Sequence, residues 1–158
     1  MKNGLKKSRN ANVGDIIMIP QSNGDFTAAC IIGIWPRLKS IMTIALFSRE
    51  CKKGIEYDSD FFNALESDLA AKSLLAVIST PVLPTKKGEW SIVGGVSCIG
   101  FEDLLPDTPF KTDSLVGACY EGAPLVEGLI EAYRGLADWE SLLPGRSGYL
   151  KGLLFGTL

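Results

Sequence analysis

Three glycines in the stretch GGVSCIG, namely Gly94, Gly95 and Gly100, are the first candidates for chemistry, because glycine-rich loops can hold phosphate groups. A dinucleotide-binding loop needs the spacing G-x-G-x-x-G between a strand and a helix, and a P-loop must end in Gly-Lys-Ser/Thr. Neither spacing occurs here, and no helical pattern follows Gly100. We therefore expect a strand with a β-bulge or a close backbone approach at Gly94-Gly95.

Nucleophilic catalysis finds little support in the residue types. The stretch GRSGY has Tyr149 where the G-x-S-x-G turn of a serine nucleophile requires its last glycine. The chain contains no histidine, the usual base for a serine or cysteine nucleophile. A pair of carboxylates can still catalyse hydrolysis, so a carboxylate-dependent hydrolase stays open as the enzyme alternative. We expect no catalytic residue and no enzymatic activity.

The four cysteines, Cys30, Cys51, Cys98 and Cys119, are far apart in the sequence. They form no Cys-x-x-Cys pair, and there is no histidine to complete a zinc site. Buried, reduced thiols are the favoured interpretation, and we expect neither a metal nor another cofactor.

Composition favours one globular domain. A chain of 158 residues can bury roughly 70% of its unfolded surface, so it needs no disulfide or metal to fold. The net charge of −2 gives no electrostatic reason to expect nucleic acid as a direct partner. No secretory signal pattern and no uncharged apolar run of membrane-spanning length occurs, so we expect a cytoplasmic protein without a membrane partner. We predict a flexible basic N-terminus over residues 1–12 and a single domain over 13–158.

The first half of the chain predicts an antiparallel meander. An apolar run ends at Pro20, Asn23-Gly24 marks a hairpin turn, and two Ile-rich strands follow at 26–35 and 40–47. Such short connections do not allow parallel crossovers. Because both faces of these strands are apolar, we expect a sheet that is covered on both sides or curled around a core.

Later segments give a mixed pattern. Asp58 or Asp60 is placed to cap a short helix with Phe61, Leu65 and Leu69 on one side. Strands are predicted at 73–80 and 89–99, the second with Trp90, Ile92, Val96 and Cys98 on one face. A short strand at 114–120, a helix over 124–142 and a final edge strand from Pro144 complete the prediction.

Several stretches taken in order resemble the immunity protein 26 family of bacterial polymorphic toxin systems. They are VGDIIMIPQSNGDFTAACIIGIW, a strand that ends in ST, KKGEWSIVGG and GFEDLLPDTPF, and together they span roughly residues 13–110. The matching features are Gly14-Asp15 before an apolar strand, Gly33 in the second strand, Gly88-x-Trp90 running into Gly94, and a Pro/Phe loop that ends at Phe110. The C-terminal third has no recognisable counterpart in the family pattern.

The resemblance implies an α+β domain with a central antiparallel sheet. Together with the residue patterns above, it leads us to expect an α+β fold with a mostly antiparallel, strongly curved sheet of about five to six strands and a C-terminal helix packed on it. It also implies an immunity protein that binds a cognate toxin domain, often a nuclease, and neutralises it by occlusion. The alternative function is a non-catalytic adaptor that binds nucleic acid or peptide on a small curved sheet. Trp90 is expected in the core, in phase with Ile92.

An acidic segment is the predicted partner-binding site. A basic nuclease cleft would attract acids, and aromatic residues are enriched among binding hot spots. No Lys or Arg lies between residues 56 and 68. The predicted contact residues are Glu56, Tyr57, Asp58, Asp60, Phe61, Glu66 and Asp68. A solvated loop with inward-facing aromatics is an equally good interpretation of the segment, and the helix acids Glu127, Glu131 and Asp138 are a weaker rival site.

Overall fold

Five antiparallel strands form the central sheet of this computed structural model, which describes residues 10–98, 100–112 and 114–155. The spatial order of the strands is β4-β3-β2-β1-β5, and the sheet is not closed. The strands are β1 (Asp15–Pro20), β2 (Phe26–Ile34), β3 (Ile41–Cys51), β4 (Leu74–Pro81) and β5 (Ser91–Gly95). The α+β class and the antiparallel sheet are confirmed. Most of the predicted flexible N-terminus, residues 1–9, lies outside the described residues.

The predicted meander of the first three strands is confirmed. Strand β1 pairs with β2, and β2 with β3, both antiparallel. At the first turn the Gly24 φ of +90° lies in the left-handed region, and the Gln21 N–H donates to the Asp25 carbonyl at 2.9 Å. The hairpin predicted from Asn23-Gly24 is therefore confirmed. Glycine suits this turn because it adopts a positive φ without a steric cost.

Both faces of the meander are buried, and each belongs to its own hydrophobic cluster. Ile17, Ile31 and Ile44 lie on one face, whereas Ile16 and Phe47 lie on the other. Complete burial of one such side chain contributes on the order of 1.5–3 kcal/mol. The two clusters together are the main source of the stability of the fold.

Two helices cover the two faces. Helix α1 (Ser59–Ala70) buries Phe61, Leu65 and Leu69 in the cluster of Ile16, as the sequence pattern predicted. The longest helix of the second half, α4 (Ala123–Tyr133), contributes Val126, Leu129 and Ile130 to the cluster of Ile17. The remaining short elements are α2 (Leu83–Lys86), a 3-10 helix (Glu102–Leu104), α3 (Asp107–Phe110), α5 (Trp139–Leu142) and α6 (Ser147–Gly152).

Strand β5 differs from the strand that was predicted over residues 89–99. It is shorter, and the extra residue Val93 forms a bulge opposite β1 immediately before the predicted Gly94-Gly95, since Ile16 pairs with Gly94 whereas Ile17 pairs with Ile92. The bulge shifts the alternation of side chains by one residue. Trp90 and Ile92 therefore join the cluster of Ile17, whereas Val96 and Cys98 join the opposite cluster. Placing all four on one face was wrong.

The C-terminal third also differs from its prediction. The helix predicted over 124–142 ends at Tyr133, because Gly135 turns the chain with a φ of +79° and the Leu136 N–H closes the last turn on the Glu131 carbonyl at 2.8 Å. No strand forms in the described part of the stretch 114–120. Instead of a final edge strand, the tail forms α6 and then a single antiparallel bridge between Leu154 and Ala76 of β4.

The residues that carry the family resemblance occupy structural positions. An added Cβ at Gly33 would lie 2.7 Å from the Phe110 ring, so the absence of a side chain makes room for that ring. An added Cβ at Gly14 would lie 2.7 Å from the Val96 carbonyl oxygen. Trp90 is 0% exposed, and its indole N–H donates to the Glu127 carboxylate on α4 at 2.8 Å. These positions specify the sheet and its cover rather than a contact surface.

Trp90→Ala is expected to lower the free energy of unfolding by about 3–5 kcal/mol, because it empties a large core site. The measurement is urea unfolding followed by circular dichroism. Trp139→Ala is the matched control, because Trp139 is only partly buried at the edge of the same cluster, and it should cost clearly less. A Trp90→Ala variant of unchanged stability that loses partner binding would show that Trp90 is a contact residue.

Candidate functional site

The predicted partner-binding segment, residues 56–68, forms the end of a loop and most of α1. Residues 52–60 are all exposed. Their side chains border a shallow depression of about 360 Å³ that is lined by Arg49, Ile55, Glu56, Asp58, Asp60, Phe61 and Ala64. We call the exposed group Ile55, Glu56, Tyr57, Asp58 and Asp60 the acidic patch.

Local interactions fix the patch against the helix. The Asp58 carboxylate accepts a hydrogen bond from the Phe61 backbone N–H at 3.0 Å and so caps the N-terminus of α1. The Tyr57 ring lies on the Phe61 ring, with centroids 5.3 Å apart. Because Phe61 is only 7% exposed, it anchors the patch to the core rather than offering contact area of its own.

The segment therefore divides into two parts. Glu56, Asp58, Asp60 and Phe61 line one depression, and Tyr57 packs beside them. Glu66 accepts a hydrogen bond from the Ser97 backbone N–H at 3.1 Å. Asp68 binds Arg49 through two hydrogen bonds. The structure thus brings the first five predicted residues together and engages the other two acids in contacts within the chain.

Two nearby bases, Arg49 and Lys52, are directed to other acids. Arg49 Nε lies 2.7 Å from Asp68 Oδ2, and this hydrogen bond raises the pKa of Arg49. Lys52 Nζ lies 3.5 Å from Asp25 Oδ2 and 4.0 Å from Glu50 Oε1. Partial burial raises the pKa of Tyr57, so its hydroxyl stays neutral at physiological pH. The charge that the patch presents to solvent is therefore that of its three carboxylates.

The exposure of the carboxylates in the acidic patch bears on whether they could act in catalysis. A carboxyl group acts as a general acid near neutral pH when burial raises its pKa, as in glycoside hydrolases. The carboxylates of Glu56, Asp58 and Asp60 are exposed, and Asp58 is already committed to the helix cap. Among the residues described, no group of three or more His, Cys, Asp or Glu side chains is placed to hold a metal ion.

The rival acids near α4 all make contacts within the chain. Glu127 accepts from the Trp90 indole, and Glu131 accepts from the Ser22 backbone N–H at 2.8 Å and from its hydroxyl. Asp138 caps α5 by accepting from the Glu140 N–H. These three carboxylates hold the helices in place, so a partner would have to compete with those bonds.

A second depression, of about 310 Å³, was not predicted from the sequence. Tyr120 and Tyr149 border it, and Thr43 and Ser79 lie on its floor with hydroxyl oxygens 2.6 Å apart. The Trp35 indole N–H points at both hydroxyls, at 3.3 Å each. The two hydroxyls hydrogen-bond to each other. They meet because β3 pairs with β4, and no local sequence pattern indicates that contact.

Comparison with known proteins found no match: no family model, no curated protein and no solved structure matches this chain. The family resemblance therefore stays an expectation from the sequence. In the portion of the chain that the structure describes, no helix has both the length and the apolar character needed to cross a membrane.

Asp58→Ala should cost about 1 kcal/mol in the free energy of unfolding, because the first turn of α1 loses its side-chain cap. Asp58→Asn should retain most of the stability, since asparagine caps helices equally well. Glu56→Ala, outside the helix, is the control and should change stability by less than about 0.5 kcal/mol. Chemical unfolding of the three variants provides the measurement. Equal losses for Asp58→Ala and Glu56→Ala would contradict a capping role.

Proposed function

We propose that this chain is an immunity protein that binds a cognate bacterial toxin domain and neutralises it by occlusion, without catalysis. The observation that carries the proposal is the acidic patch, where the exposed apolar side chains Ile55 and Tyr57 alternate with three exposed carboxylates. The sequence resemblance supports the same function. We also propose that the chain acts in the cytoplasm. The strong curvature expected of the sheet stays a prediction.

The negative charge of the acidic patch indicates which kind of partner surface it fits. A nuclease holds phosphates, so its active cleft carries an excess of Lys and Arg. Carboxylates presented to such a cleft speed association and reject partners of the wrong charge. Because Arg49 and Lys52 bind other acids, they do not cancel the charges of Glu56 and Asp60.

The exposed apolar side chains of the acidic patch provide contact area for a partner. Tyr57 is 42% exposed and Ile55 is 38% exposed, so each has surface left to bury against a partner. The contact of Tyr57 with the buried Phe61 ring limits its mobility before binding. An aromatic side chain that is already ordered loses little entropy when it becomes a hot spot.

The two alternatives are less well supported by the geometry. An adaptor that binds nucleic acid or peptide on a curved sheet needs an exposed sheet face, whereas β1, β2 and β3 are buried on both faces. A carboxylate-dependent hydrolase has a depression lined by three acids in its favour, but those acids are exposed to solvent. The depression is also shallow, whereas a catalytic site usually encloses its substrate and so orients it.

Reversal of charge tests the proposed interface. Glu56→Lys combined with Asp60→Lys spares the capping residue Asp58 and should leave the fold intact. We expect the on-rate for the cognate toxin domain to fall about tenfold or more at low salt, with a weaker dependence on salt. Stopped-flow association at two salt concentrations measures both quantities.

The matched control is Glu89→Lys combined with Glu102→Lys, which changes the net charge equally at two other exposed positions. This control should lose much less of the on-rate. If both double variants lose it equally, overall charge rather than the patch governs association. If the patch variant associates as the wild type does, the acidic patch is not part of the interface.

A further inference from the structure

Two cysteines that are 68 residues apart in the sequence meet in the fold. Cys30 lies on the central strand β2, and Cys98 lies just beyond the end of β5. Their Sγ atoms are 3.2 Å apart. These thiols are far apart in the sequence, and the bulge of β5 brings them together because it moves Cys98 to the face that carries Cys30. All four thiols were expected to be buried, but only Cys30 and Cys51 are; Cys98 is partly buried and Cys119 is exposed.

The backbone around Cys98 holds the contact in place. The Val96 N–H donates to the Gly14 carbonyl at 2.8 Å, and the Ser97 N–H donates to the Glu66 carboxylate. A disulfide requires an S–S distance of about 2.05 Å, so the two sulfurs need to approach by only about 1 Å. Such a movement is within the reach of a side-chain adjustment.

The two thiols differ in exposure. Cys30 is 0% exposed, whereas Cys98 is only partly buried and can be reached from solvent. The hydrogen bond between the two sulfurs lowers the pKa of Cys98 and, together with burial, raises that of Cys30. Two carboxylates act on the pair: Asp15 further raises the pKa of Cys30, and Glu66 partly offsets the lowering at Cys98. Cys98 is therefore the thiol that ionises first, and the thiolate is the nucleophile in such chemistry.

We propose that Cys30 and Cys98 form a reversible disulfide pair that responds to peroxide. The Cys98 thiolate attacks one oxygen of hydrogen peroxide, the O–O bond breaks, and the products are Cys98 sulfenic acid and hydroxide. The Cys30 sulfur then attacks the Cys98 sulfur, the S–O bond breaks, and water leaves as the disulfide forms. Cysteine is oxidised and peroxide is reduced, and a dithiol reverses the change by thiol–disulfide exchange.

The bond would join the centre of the sheet to the segment that leaves its β5 edge. Closing so long a loop restricts the unfolded chain and raises the melting temperature. In a reducing compartment, disulfides in proteins are usually transient and sense redox conditions. This property is independent of toxin binding, since neither cysteine lies in the acidic patch.

Peptide mapping tests the proposal directly on the wild-type protein. Trypsin places each cysteine in its own peptide, with Cys30 in residues 10–37 and Cys98 in residues 88–111. After treatment of the full chain with hydrogen peroxide, we expect these two peptides to be linked, lighter by two hydrogen atoms, and to separate with dithiothreitol. Failure of this linked pair to form, or a preference for links that involve Cys51 or Cys119, overturns the proposal.

Thermal melting gives an independent readout. Peroxide treatment should raise the melting temperature of the wild type by about 10 °C, a shift that dithiothreitol removes. Cys98→Ser should abolish the shift, whereas the control Cys119→Ser, at an exposed cysteine, should retain it. A shift that persists in Cys98→Ser contradicts the proposal. If that variant does not fold, the peptide map of the wild type still decides the question.

Discussion

Burial of both faces of strands β1, β2 and β3 is the constraint on which the rest of the structure depends. A sheet with apolar side chains on both faces is stable in water only when each face has its own cover. Helix α1 covers one face through Phe61, Leu65 and Leu69, and α4 covers the other through Val126, Leu129 and Ile130. The position of α1 then determines where the loop that precedes it reaches the surface.

The residues that carry the family resemblance and the residues of the proposed binding surface lie in different parts of the fold. Gly14, Gly33 and Trp90, which carry the family resemblance, lie within or against the sheet. The acidic patch lies outside it, on the loop before α1 and the first turn of that helix, and the Asp58 cap and the Tyr57–Phe61 contact tie it to the core. Binding residues often occupy loops that a rigid scaffold positions, so the patch can differ between proteins that share the scaffold.

Local patterns were sufficient to predict the meander, the turn at Gly24 and a cap of α1 at Asp58 or Asp60, because each depends on residues within a few positions of one another. Features that depend on distant parts of the chain were missed. The bulge was expected at Gly94-Gly95, but the reversal of faces that it imposes on Val96 and Cys98 was not. The helix period continued past Gly135, yet the conformation of that glycine ended the helix. The contact between Cys30 and Cys98 follows from strand pairing and carries no signal in the sequence.

In the proposed mode of action, one exposed segment that contains the acidic patch binds the partner, and the sheet is its scaffold. Hydrogen–deuterium exchange of the full chain, alone and with the proposed cognate toxin domain, is the direct test. We predict that residues 52–60 exchange rapidly in the free protein and become protected in the complex, while the slow exchange of β1, β2 and β3 is unchanged. Protection confined to another surface, such as the depression beside Tyr120 and Tyr149, or no protection anywhere, would contradict it.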